Sequence, residues 1–304
     1  MQVQTLELDV ECPTPASSHH LAESLCSMPN LTDLTLGRKI NDELCFALKA
    51  KASSIQVQTL ELDVVECPTP ASSHHLVEAL CSMPNLTNLT LGRIINDELC
   101  FALKAKASSI QVQTLELDVV ECPTPASSHH LVEALCSMPN LTNLTLGRII
   151  NDELCFALKA KASSIQVHSL KFYGVESLTP ASSHHLAEAL CSMPNLTDLT
   201  LAEEDLNEEF CSTLKAKASS IQGCFPQIRN GNFRFNGAAQ DDLNSFIHTL
   251  TRLQSCSRPY KRQALSTQEV YKMILKFQRS NQSMNSSWYG IGRVRQCPSG
   301  NTSS

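Results

Sequence analysis

Eight of the ten histidines stand in adjacent pairs, at 19–20, 74–75, 129–130 and 184–185. Paired imidazoles suggest metal ligation. Adjacent helical residues do not face each other. Pairs in successive units would also lie roughly 16–20 Å apart on packed helices, too far to share an ion. The plainer reading is exposed first-turn residues copied by duplication. Cysteine is the second candidate, with 14 residues. Cys67, Cys81 and Cys100 recur in the other units, but no C-x-x-C pair marks a zinc site. With no secretory signal, reduced packing thiols are expected. Asn-x-Ser/Thr triplets at Asn30, Asn85 and Asn88 belong to a recurring N-L-T-x-L-T phrase, which fold reasons alone explain. There is no GxxxxGK[ST], HExxH or GxSxG. The expectation is a chain without catalytic residues, metal or cofactor.

What remains is a set of polar residues that alternate with leucines. Glu61 and Asp63 flank Leu62, and Asn88 and Thr90 flank Leu89. Glu116, Asp118, Asn143 and Thr145 are their counterparts one unit later. Glu7, Glu61 and Glu116 are equivalent and are expected to form an acidic row. The fourth unit breaks it with Lys171, Phe172 and Tyr173. Arg38, Arg93 and Arg148 offset part of the charge. These ten candidate residues, from Glu61 to Tyr173, would form a partner-binding stripe, with Tyr173 a favoured interface anchor.

The elements that must position them come from repetition. Residues 56–110 recur letter for letter at 111–165, a copy one residue shorter occupies 2–55, and a diverged one occupies 166–221. Fixed periods of this size signal a solenoid. Each block is itself double. Val57, Leu60 and Leu62 form L-x-x-L-x-L, Leu86, Leu89 and Leu91 repeat it, and Val112, Leu115 and Leu117 follow. Alternation puts Leu60 and Leu62 on one face of a strand and Glu61 on the other. A helix follows each strand. Leu76, Ala79, Leu80 and Met83 make one apolar stripe, and Leu99, Ala102 and Leu103 a shorter one. Thr69-Pro70 and Asn96 are the expected helix starts, and Pro84 stops the first helix.

This pattern resembles leucine-rich repeats, with lengths similar to the ribonuclease-inhibitor subtype. The phrase LAEALCSMPNLTDLTL at 186–201 resembles repeats attached to NACHT-type nucleotide-binding immune receptors. The resemblance implies an α/β right-handed solenoid bent into a horseshoe arc, with parallel strands on the concave side and helices on the convex side. Strands ~4.8 Å apart and helices roughly 8–10 Å apart produce that bend. The resemblance also implies a cytoplasmic sensor module that binds a protein or other macromolecular ligand. A ribonuclease-inhibitor-like or GTPase-activating regulator is the alternative, and a gene-model fragment without independent function a third. One departure stands out. Where the family usually places Asn or Cys after the strand, this chain has Val65, Ile94, Val120, Ile149 and Glu204.

The expected domains are eight repeats over 1–222, a degenerate ninth over 223–256, and a basic tail over 257–304. In the ninth, Phe233 and Phe235 alternate like Leu60 and Leu62, and 241–253 reads as an amphipathic helix. The tail has one helix at 266–277 before a disordered Ser/Asn/Gly-rich segment. Residues 1–222 hold 13 Lys+Arg and 27 Asp+Glu, whereas 223–304 hold 11 and 3. An acidic body argues against nucleic acid as its ligand. No apolar run approaches the ~18 residues of a membrane span. The chain opens inside a repeat, so it is expected to be a monomer or part of a longer multidomain chain.

Overall fold

The computed structural model describes residues 3–9, 14–38, 40–64, 69–93, 95–118, 124–147, 150–173, 179–201, 210, 212–213 and 227–230. All lie in the compact unit Met1–Gln254; the second unit, Ser255–Ser304, falls outside the described residues. The positions Val65, Ile94, Val120, Ile149 and Glu204 fall outside them too, as do Cys67, Phe233 and Phe235 and the helices expected at 241–253 and 266–277.

Strands and helices alternate along the chain: β1 (Thr5–Leu8), α1 (Pro15–Cys26), β2 (Asp33–Arg38), α2 (Asp42–Lys51), β3 (Thr59–Val64) and α3 (Pro70–Ser82). Then come β4 (Asn88–Gly92), α4 (Asp97–Lys106), β5 (Thr114–Asp118), α5 (Pro125–Ser137), β6 (Asn143–Gly147) and α6 (Asp152–Lys161). β7 (Ser169–Tyr173), α7 (Pro180–Ser192), β8 (Asp198–Leu201) and β9 (Gln227–Asn230) complete the described elements. The strands form one open parallel sheet in strict chain order, β1 to β9. This is the α/β repeat solenoid expected from the leucine spacing. The ninth strand lies at 227–230, upstream of the Phe233/Phe235 alternation, and places Ile228 opposite Leu199.

At the start of each strand pair from β1–β2 to β7–β8, one carbonyl takes two N–H groups of the next strand. Gln58 O accepts from Thr87 N and Asn88 N at 2.9 and 3.0 Å, and Thr32 O accepts from Gln58 N and Thr59 N at 2.7 and 2.9 Å. Beneath the sheet, Leu34, Leu60, Leu89, Leu115, Leu144 and Leu170 line up strand by strand. All six are buried in one continuous core with Leu76, Leu80, Leu99 and Leu103. The two repeat lengths converge on the same register because the helix side absorbs the difference. Long helices of 12 or 13 residues alternate with short ones of 10 that end in a 3-10 turn.

Helix starts follow the residues read from sequence. Thr69 accepts from Ser72 N, with Pro70 opening the helix. Asn96 accepts from Leu99 N at 2.8 Å. Each short helix also reaches the next long one. Asp97 accepts from Thr124 Oγ1 at 3.0 Å and from the Ser127 hydroxyl. Asp42 and Asp152 do the same with Thr69 and Thr179. The Ser127 bond outweighs the opposing effect of burial and holds the Asp97 carboxyl below the usual carboxylate range. Among the described residues, Cys26, Cys45, Cys81, Cys100, Cys136 and Cys155 are free thiols. Cys45, Cys100 and Cys155 are fully enclosed, and burial pushes each thiol up to about 12.

Two outcomes check this account. Leu115→Asp places an unpaired carboxylate where a leucine contributes roughly 1.5–3 kcal/mol; circular dichroism and melting should show the central units unfolded at 25 °C. Asp97 has a lower pKa folded than unfolded, so its contribution is complete above about pH 4 and is lost as pH falls through the folded value. Asp97→Asn should therefore melt below the parent at pH 7, and the gap should narrow in melts taken below about pH 4.

Candidate functional site

Polar residues on the open face of the sheet form columns whose composition the register dictates. The central column reads Glu7, Thr35, Glu61, Thr90, Glu116, Thr145, Lys171 and Thr200. The glutamates expected to form a row are thus interleaved with threonines. The intervening strand belongs to the other repeat type and sets successive carboxylates about 10 Å apart. Thr35 Oγ1 reaches Glu61 Oε2 at 3.5 Å. The sign of the column reverses at β7, where Lys171 replaces glutamate.

Asn88 and Asn143 lie in the adjacent column. Their side-chain amides donate to Thr59 Oγ1 and Thr114 Oγ1, each at 3.3 Å. They stitch neighbouring strands together, a role the N-L-T-x-L-T phrase foreshadows.

A third column alternates small and large: Gly37, Asp63, Gly92 and Asp118, then Gly147 beside Tyr173. Each glycine is the floor on which a neighbour's side chain rests. A Cβ on Gly92 would sit 3.0 Å from Asp63 Oδ1, and one on Gly147 would sit 2.6 Å from the Tyr173 ring. Tyr173 leans across that gap, and its hydroxyl donates to Glu116 Oε1 at 3.0 Å, two strands away. Lys171 Nζ lies 5.6 Å from the same ring centroid, within cation–π range. The structure therefore gathers Glu116, Lys171 and Tyr173 into one cluster over Gly147. Glu61 and Asp63 lie outside it on β3.

Identical sequence here does not mean identical surroundings. Glu61 and Asp63 are exposed, whereas their exact copies Glu116 and Asp118 are half-buried. Arg93, between the two pairs, donates its backbone N–H to Asp118 O at 2.7 Å and places Nε 3.9 Å from Asp63 Oδ1. Its φ of 45° is left-handed, an uncommon conformation for a non-glycine residue. Sequence reading gives Arg93 a charge-balancing role but carries no sign of that backbone. The Gly–Asp alternation is legible in the LTLG and LELD strand endings.

No family model matches the chain. Two curated proteins are similar to it. The chain is similar to NACHT, LRR and PYD domains-containing protein 5. Identity is 29% over 213 residues with the Mus musculus protein, covering 65% of this chain and 18% of that one. It is 30% over 220 residues with the Bos taurus protein, covering 66% and 19%. The chain thus spans about a fifth of the length of the relatives it matches. The similarity to NACHT, LRR and PYD domains-containing protein 5 is distant, and it agrees with the strand–helix alternation described above. Among the described residues, no helix is long and apolar enough to cross a membrane. Among them, too, no group of three or more His, Cys, Asp or Glu is placed to hold a metal ion.

The Tyr173–Glu116 bond can be weighed directly. Tyr173→Phe should cost about 0.5–1.5 kcal/mol in urea unfolding. In a Glu116→Ala background the same change should cost less, since that hydrogen bond is already gone.

Proposed function

We propose that this chain is a non-catalytic recognition module that binds a protein or other macromolecular ligand across the polar face of its strands. The reading makes it the sensor repeat portion of an NLR-like innate immune receptor in the cytoplasm, built from repeats of the ribonuclease-inhibitor subtype. One observation carries it: the central column changes from glutamate to lysine at β7, beside an aromatic ring propped over Gly147. A polar face with one sign of charge throughout is an ordinary solvated surface. A face with a sign reversal and a half-buried tyrosine offers a partner both orientation and an anchor. The distant similarity to NACHT, LRR and PYD domains-containing protein 5 supports a repeat module of this kind.

The acidic half of the column supports a second reading, a regulator that covers a basic enzyme in the manner of a ribonuclease inhibitor. Inhibition of a basic ribonuclease by the purified chain, relieved by Glu61→Lys, would favour it. A GTPase-activating role has no comparable residue in its support. The carboxylates of the strand face disfavour nucleic acid as the ligand of the repeats.

Affinity capture from cytoplasmic extract tests the first reading. A protein retained by the parent chain should bind at least ~30-fold more weakly to Lys171→Glu/Tyr173→Ala, the loss expected of an anchor residue. Melting of the variant should stay within a few degrees of the parent. Equal retention by both chains would overturn the assignment of β7 as the anchor.

A further inference from the structure

The helix side carries a second surface, independent of the strand-face reading. Phe46, Phe101 and Phe156 occupy the same position of α2, α4 and α6 and are 60, 48 and 49% exposed. Phenylalanines left in water at three successive equivalent sites form a stripe rather than a scatter, and such stripes mark interaction surfaces.

Imidazoles from the long helices frame the rings. His75 meets Phe46 edge-on at 5.5 Å between centroids. Phe101 stands between His74 at 6.1 Å and His130 at 5.6 Å, and Phe156 between His129 and His185 at the same distances. His74, His75, His129, His130 and His185 are therefore framing groups for an aromatic row, not merely solvated first-turn residues.

Charge is uneven across the stripe. On one margin, Lys49–Glu78, Lys104–Glu133 and Lys159–Glu188 pair at 2.5, 2.6 and 2.6 Å, cancelling each other. On the other, the first turn of each short helix carries Asp42-Glu43, Asp97-Glu98 and Asp152-Glu153. The aspartates accept hydroxyls from the next helix. Among the described residues, the three glutamates have no cationic partner. Around Phe46 the carboxylates close an open notch with Pro15, His19 and His75.

An aromatic ring beside an uncompensated carboxylate suits a cation on an apolar stem. Anionic lipid and nucleic acid would meet the glutamates as like charges. We propose that each exposed phenylalanine and its neighbouring glutamate receive one arginine or lysine of a basic partner polypeptide, the stem on the ring and the head at the carboxylate. Alternate helices lie roughly 16–20 Å apart. An extended chain covers that distance in about five or six residues. The partner is therefore an extended segment with basic residues at that spacing, and three phenylalanine–glutamate pairs bind it by avidity.

Fluorescence anisotropy with the full chain tests this at about 0.15 M salt, near physiological screening. The probe is a labelled Gly/Ser peptide with three arginines, one every fifth residue. It should bind at least tenfold tighter than a peptide with one arginine or one with three adjacent arginines. Phe46→Ser/Phe101→Ser/Phe156→Ser should lose at least tenfold in affinity, and the exposed rings leave the fold intact by circular dichroism. Glu43→Gln/Glu98→Gln/Glu153→Gln keeps the rings and should lose as much. Lys171→Glu/Tyr173→Ala should bind the peptide like the parent, so failure of the strand-face reading is separable. Equal binding by either triple variant, or no preference for the spaced peptide, would overturn the proposal.

Discussion

Two columns of apolar side chains, held in step beneath nine parallel strands, are the constraint on which everything else rests. One runs through Leu60, Leu89 and Leu115, the other through Leu62, Leu91 and Leu117. Side chains alternate with period two, so a slip of one residue would put leucines in water and glutamates in the core. Junctions such as Gln58 O with Thr87 N and Asn88 N prevent that slip. Once the columns are in step, the polar face has no freedom. Which residue neighbours which across the sheet is decided by the apolar residues on the other side.

The same logic separates what could be read from residues from what could not. Leu60, Leu62, Leu76 and Leu80 announce strand and helix because their periods differ and their faces are strictly apolar. Thr69-Pro70 and Asn96 announce helix starts because capping is local chemistry. The open face was harder. Glu7, Glu61 and Glu116 are equivalent in a 55-residue comparison, yet spatial neighbours come from a 26- or 29-residue step, so threonines lie between them. Tyr173 reaching Glu116 spans two strands and requires the gap at Gly147, a distance effect that no short pattern encodes. The exposed phenylalanines were legible in principle. Phe101 lies outside the stripe of Leu99, Ala102 and Leu103, and a helix residue off the apolar stripe must point elsewhere.

Blocks with one sequence are made unlike by what stands next to them. Glu61 and Glu116 share eleven or more identical residues on either side, yet one is exposed and the other is half covered by Tyr173. In a solenoid each unit touches only its neighbours. Divergence in a single block therefore changes the block before it as well as itself. The fourth block, with Lys171 and Tyr173, gives the third a surface the second lacks.

That dependence on immediate neighbours makes block number an evolutionary variable in its own right. Unequal recombination between the identical stretches 56–110 and 111–165 would add or remove two strands and two helices without creating a new junction. The Tyr173 cluster would survive, because the block preceding it would always have the same sequence. What would change is its distance from the β1 end of the sheet, in steps of about 10 Å. A lineage could thus retune the reach of this surface by copy number alone, before any single residue had been altered.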